Sequence, residues 1–235
     1  MNPVITWQLA SFAILGIVIL VGFAWFERHR PSARVAAAIA TLAAFAVVGR
    51  IAFAPFPNVK PTSDIIFISG YTLGGAPGFM VGALAGLVSN FYFGQGPWTP
   101  WQMTAWGVVG VLGAVVGTFS RQRLTRFQLS LVCAASAFVF GAIVNLSEVI
   151  SLTGEPSQRG ILVVYARALP FDVAHAVGNF AFCMLAGPLL VRMLQRVRRK
   201  SELEWPATTV PASKETPKAA LKSPAGAIWT QPHSG

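Results

Sequence analysis

Asp172, His175 and Asn179 fall at i, i+3 and i+7, a spacing that sets a carboxylate, an imidazole and an amide on one face of a helix. On the apolar segment before them, Asn145 and Glu148 share a face at a similar depth. Such groups can hold the polar edge of a ligand, and a carboxylate one turn from a histidine can also ligate a metal or exchange a proton. The second chemistry lacks its usual companions. HExxH, CxxC and GxSxG are absent, and no third nitrogen or thiolate ligand stands at a suitable spacing, so neither a catalytic residue nor a metal site is expected. Cys133 and Cys183 both lie inside apolar segments and read as packing rather than as a disulfide or metal ligands.

The stretch Asn90 to Trp106, NFYFGQGPWTPWQMTAW, carries three of the seven tryptophans, two glutamines, two prolines and two glycines, with no charge. Pro97 and Pro100 oppose helix continuation, and Gly94 and Gly96 permit unusual backbone shapes, so an ordered non-helical element at a membrane boundary is expected. Trp98, Trp101 and Trp106 offer flat apolar faces, while Gln95, Thr99 and Gln102 offer directional hydrogen bonds, a lining suited to a ring-bearing ligand. An aromatic belt at the bilayer interface would show a similar composition.

The elements that must position these groups are membrane spans. Of 235 residues 54% are hydrophobic and only 11% charged, against roughly a quarter charged in soluble domains. The net charge of +10 does not point to nucleic acid, because most Lys and Arg lie in short clusters beside apolar runs, as the positive-inside rule requires. Val4 to Phe26 is an apolar run followed at once by Glu27, Arg28, His29 and Arg30; its positive charge comes after the core, which marks an uncleaved span rather than a signal peptide. A second span runs from about Val35 to Ala54, with Ala36, Ala40 and Ala44 repeating every fourth residue as a stripe on which another helix can dock closely.

Ser63 to Tyr92 has a single charge, Asp64, and is too long for one ordinary span; Gly74 to Gly78 supply a turn, so two short passes are expected. Spans from about Trp101 to Phe119, Leu129 to Ser151 and Phe171 to Met193 follow. Two passes between Ser63 and Tyr92 bring all three basic clusters to the cytoplasmic side, giving seven spans with the N-terminus outside and the C-terminus cytoplasmic. Arg50, Asp64, Glu148 and Asp172 then belong to the outer half together with Asn58, Asn90, Gln95 and Gln102, and ionisable groups in that setting are functional candidates. Residues 201–235 are polar and rich in Pro, Ala and Lys, which reads as a disordered cytoplasmic tail.

In these residues the sequence resembles the substrate-binding S components of energy-coupling factor (ECF) transporters, importers of vitamins and related micronutrients. The resemblance runs from about Arg34 to Lys200 and rests on FPNVKPTSDIIFISGYTLGGAPGFMVGALAGLVSNFYFGQGPWTPWQMTAWGVVG and on PFDVAHAVGNF, with GQGPWTPWQM as its most distinctive run. It implies an all-α membrane protein, a six-helix bundle over residues 31–200, to which residues 1–30 add an extra N-terminal transmembrane helix and basic loop. It also implies a ligand captured near the outer surface of the plasma membrane and delivered with a transmembrane coupling subunit and two ATPase subunits. The chain has no GxxxxGK[ST] phosphate loop of its own and needs no cofactor for such a role.

On this reading Trp98, Trp101 and Trp106 stack on the ligand, Asn58, Asn90, Gln95, Thr99 and Gln102 fix its polar edge, and Glu148, Asp172, His175 and Asn179 close the site. Ala36, Ala40 and Ala44 form the docking face, with membrane lipid around the rest. The aromatic and amide groups favour a large ring with amide or hydroxyl edges, a cobalamin-type corrinoid first, riboflavin or a queuosine-type precursor next. Two other classes compete. A membrane scaffold or assembly factor would explain the alanine stripe but not an outward polar cavity, and an intramembrane enzyme would need His175 with Glu148 or Asp172 for turnover rather than binding.

Overall fold

Seven helices form among residues 3–29, 31–153 and 157–202, the residues that the computed structural model describes, and none of these is in a strand. They are α1 (Pro3–Arg28), α2 (Ala33–Ala52), α3 (Thr62–Leu73), α4 (Gly75–Phe93), α5 (Thr99–Phe119), α6 (Arg126–Thr153) and α7 (Gln158–Glu202). All but α3 are long and apolar enough to cross a membrane, so the chain is a multi-pass helical membrane bundle. The polar tail expected at 201–235 lies outside the described residues beyond Glu202.

The expected break between Ser63 and Tyr92 is present, and it is sharp. Gly74, with φ 105°, separates α3 from α4 in a conformation that L side chains rarely adopt. At 12 residues α3 is only about 18 Å long, short of a hydrocarbon core of about 30 Å. It nevertheless links the two ends of the bundle. Ser63 at its start meets His175 and Trp106, while Thr72 O at its end accepts from Gln122 and Arg198. All but one of its residues are buried, packed among α2, α4, α5, α6 and α7.

In a membrane the apolar effect does not drive helices together, so close packing and internal hydrogen bonds must. Phe67, Ile66 and Ile68 of α3, Val81 of α4 and Val109 of α5 are fully enclosed in the largest core cluster. At one close crossing, a Cβ on Gly110 would run into the backbone of Gly78, so α4 and α5 meet main chain to main chain. The outlying helix α1 packs on α4, α5 and α6, setting Leu15 against Trp101 and Ile150. That placement leaves α2 uncovered, and Ala36, Ala40 and Ala44 are all exposed.

Two expectations need correcting. The stretch 90–106 is helical except for its middle: α4 runs through Phe93, and α5 begins at Thr99, leaving only residues 94–98 as a non-helical link. Pro100 falls in the first turn of α5, where a missing N–H breaks no helical bond, so it starts the helix instead of stopping one. The final helix begins at Gln158 rather than near Phe171 and passes through Pro170 and Pro188. Proline in a bundled membrane helix is tolerated where neighbouring groups satisfy the freed carbonyl, and Pro170 is therefore no boundary.

Arg34 of α2 donates to Lys200 O of α7, Gln195 of α7 donates to Gln122 after α5, and Trp25 of α1 lies against Gly75. The basic clusters after α1, after α5 and at the end of α7 therefore share one end of the bundle, opposite the end where Ser63 meets His175.

Candidate functional site: a polar cavity at the end opposite the basic clusters

A cavity of about 150 Å³ opens at this end, lined by residues of α2, α3, α5, α6, α7 and the link between α2 and α3. Its aromatic wall is Trp106 of α5 against Phe140 of α6, with ring centres 4.8 Å apart and planes inclined by 33°. His175 meets the same Phe140 edge-on at 5.4 Å. Trp106 Nε1 donates to Ser63 Oγ at 3.1 Å, and Ser63 Oγ lies 2.8 Å from His175 Nε2. Since an indole N–H can only donate, Ser63 accepts there and its own proton is free for His175 Nε2, which fixes the imidazole from behind.

Cations lie directly against that aromatic wall. Arg50, near the C-terminus of α2, is buried, and its guanidinium stacks over Trp106 at 4.8 Å and over Phe93 at 4.6 Å. It donates to Ser89, to Asn90 Oδ1 at 2.8 Å and to Gln102 Oε1 at 3.5 Å. These partners are neutral, so the Arg50 charge reaches the cavity undiminished by a carboxylate among them. Lys60 adds a second cation, 5.5 Å from the Phe93 ring. Burial, and then the Arg50 charge, lower its pKa from the ordinary value. Across the cavity Asp172, half-buried, accepts from Asn145 Nδ2 at 2.9 Å.

Asn58, Gln102, Trp106, Asp172 and His175 all line the cavity, and Asn145 joins them. Asn58 holds a left-handed backbone with φ 55°, which an amide residue accommodates more readily than most. Asn90 is fully buried behind the wall, where it fixes Gln102 Oε1 at 2.9 Å and Thr99 Oγ1 at 3.0 Å. Thr99 in turn donates to Gln95 Oε1, and Gln95 Nε2 caps Leu87 O. Gln95 and Thr99 therefore brace the link between α4 and α5 rather than line the cavity.

The other two tryptophans lie elsewhere. Trp98 is exposed and donates to Gly94 O, and Trp101 is buried against α1 and α6. Glu148 is exposed and outside the lining, and Asn179 sits deeper on α7, donating to Cys133 O at 3.2 Å. Composition could not tell which tryptophan turns inward, because α5 starts within the motif and carries Trp101 and Trp106 onto different faces. Ser63 and Phe140 were missed: a lone serine beside Asp64 and a lone phenylalanine in an apolar run carry no signal of their own.

The arrangement offers a flat aromatic face, two cations and a carboxylate with amides between them. That is chemistry for gripping a planar ring by its face and a polar substituent by its edge. A family model described as ECF-type riboflavin transporter, S component, matches residues 31–196. The match starts just before α2 and ends within α7, so α1 lies outside it. Neither curated proteins nor solved structures gave a significant match.

Proposed function

The chain belongs to the S components of ECF-type riboflavin transporters, and on that premise we propose that it captures a flavin-class vitamin in the cavity between Trp106, Arg50 and Asp172. As an S component it is the substrate-binding subunit of an ECF transporter, a family of transporter subunits rather than enzymes, and it works with the ECF module. The observation that carries the ligand reading is the pairing of the Trp106 and Phe140 face with a cationic edge at Arg50 and Lys60 and an anionic one at Asp172. A three-ring heterocycle with carbonyl acceptors stacks on the first and donates or accepts at the others.

The corrin favoured by composition asks for far more room than about 150 Å³, which is already below the roughly 300–1,000 Å³ of ordinary ligand sites. Binding a flavin therefore requires the segment carrying Asn58 and Lys60 to lift, and it is the only irregular stretch in the lining. The cavity opens on the outside of the plasma membrane, because the basic clusters at the opposite end belong in the cytoplasm. This gives α1 an outer N-terminus and α7 a cytoplasmic C-terminus. The transmembrane coupling subunit docks on the exposed Ala36, Ala40 and Ala44, and two ATPases drive it.

Thermal stability of the purified chain against a vitamin panel tests the ligand class. Riboflavin at a hundredfold excess over its dissociation constant should stabilise the fold by about 2.7 kcal/mol, with no shift from cobalamin. A shift with cobalamin alone would restore the corrin, and no shift with any vitamin would favour a scaffold acting through the alanine stripe.

A further inference from the structure

On sequence alone Cys133 and Cys183 read as packing, because nothing in their spacing brings a third donor near them. The fold supplies one. Asp64 of α3, Cys133 of α6 and Cys183 of α7 place a carboxylate oxygen and two Sγ atoms all within 4.8 Å of one another, and all three residues are buried. Neither oxygen of Asp64 meets an N–H or O–H donor, the thiols of Cys133 and Cys183 being its polar neighbours, and Oδ1 of Asn179, one turn from Cys183 on α7, is likewise without one. Only four buried side-chain atoms among the described residues lack a partner, and three of them belong to this neighbourhood. An unpartnered carboxylate is among the least favourable groups a membrane interior can hold, so these atoms ask for an occupant.

The donor set says what kind. Tetrahedral zinc bonds sulfur at about 2.3 Å and carboxylate oxygen at about 2.0–2.2 Å, which sets ligand atoms about 3.5–3.8 Å apart. The three groups reach that spacing by closing each separation by about 1.3 Å at most. Thiolates disfavour magnesium and calcium, which take oxygen ligands, and a carboxylate suits cuprous copper poorly, whereas zinc accepts both donors. On binding, each thiol releases its proton, and the divalent ion offsets two of the three negative charges. Asp64 and Cys183 also line a groove of about 820 Å³ between α2, α3 and α7.

We propose that Asp64, Cys133 and Cys183 form an intramembrane site for a zinc-class thiophilic cation, with Asn179 Oδ1 as the available fourth donor. The ion ties α3 to α6 and α7. Because Ser63 faces the polar cavity while its neighbour Asp64 faces the groove, the ion also steadies the start of the helix that supports Trp106 and His175.

The test is a titration of the purified full-length chain, prepared with thiols reduced, with Co2+ and then Zn2+. One equivalent of Co2+ should give sulfur-to-cobalt charge-transfer absorption and the visible bands of a tetrahedral ion, both abolished by zinc. Both thiols are buried, so alkylation proceeds only through transient opening of the helices, and zinc should slow it at least tenfold, with a chelator restoring the rate. Asp64→Asn should weaken zinc at least tenfold, and Cys133→Ser with Cys183→Ser should remove the cobalt bands. Bands that persist in the double variant, or alkylation of the wild-type chain that zinc leaves unchanged, would overturn the proposal. The alkylation arm needs no substitution, so a variant that does not fold leaves the test decisive.

Discussion

Arg50 shows how a charge deep in a membrane bundle can be kept usable. Its donors are spread over Ser89, Asn90 and Gln102, and its face rests on Trp106 and Phe93, so the cation is solvated by dipoles and π electrons without being neutralised. Lys60, in the link outside the helices, shares the cavity with it, and burial and the Arg50 charge hold its pKa below the ordinary 10.5. The unfolded chain keeps that proton to higher pH than the folded one. Between the lowered and the ordinary value, stability therefore rises with pH. Ligand binding through the ammonium runs the other way and weakens across the same window. Comparing wild-type with Lys60→Met over an alkaline pH series removes the ligand's own titration: the wild-type affinity should fall toward that of the variant as pH rises. Parallel profiles would remove Lys60 from the binding edge. At this scale about half of the cavity lining was legible in the sequence. Asp172 and His175 were legible because helical spacing sets them on one face, and Asn58 and Gln102 because amides beside prolines and tryptophans are unusual in a membrane chain. Trp98 and Trp101 were assigned by type alone, and type does not encode direction.

Helices set those directions, and their boundaries were the least legible feature. The break at Gly74 could be read because five small or cyclic residues fall together, whereas the start of the last helix, expected near Phe171, was not legible, since α7 runs on through Pro170, which a bundled helix tolerates. Close crossing of α4 and α5 holds Trp106 against Gly82 and Gly86 and Gln102 against Asn90, so a methyl added at their contact should be felt at the cavity. Gly110→Ala should destabilise the bundle by about 1–3 kcal/mol, since the new Cβ meets the Gly78 backbone, which cannot turn aside. Thermal unfolding in detergent measures this, and an unchanged midpoint would mean that the crossing is looser than described. The stripe on α2 predicts a different split. With Ala36, Ala40 and Ala44 exposed and α1 packed on α4, α5 and α6 without touching α2, Ala40→Leu should leave vitamin binding intact and abolish co-purification with the coupling subunit. Loss of both would mean that Ala40 supports the binding fold and is not a docking residue alone.

For the whole molecule, hydropathy and charge fixed the class and the number of chain reversals before any contact was known. Short α3 is the case that needed the fold, because its length argues against a span while its two ends reach opposite faces of the bundle. With the basic clusters gathered at one end, the orientation has a direct consequence. A cysteine at Asn58 should react with an impermeant maleimide on intact cells, and one at Arg123 only after permeabilisation. The opposite pattern would turn the cavity toward the cytoplasm and end the capture reading. The central claim is that the Trp106 face holds a flavin, and flavin emission reports it, since stacking on an indole quenches it. Titrating riboflavin with the purified full chain should give saturable quenching at one site per chain. Trp106→Ala should weaken it by about 2 kcal/mol or more, roughly thirtyfold, with the helical content unchanged. Saturable quenching that survives Trp106→Ala undiminished would place the vitamin elsewhere and contradict the account.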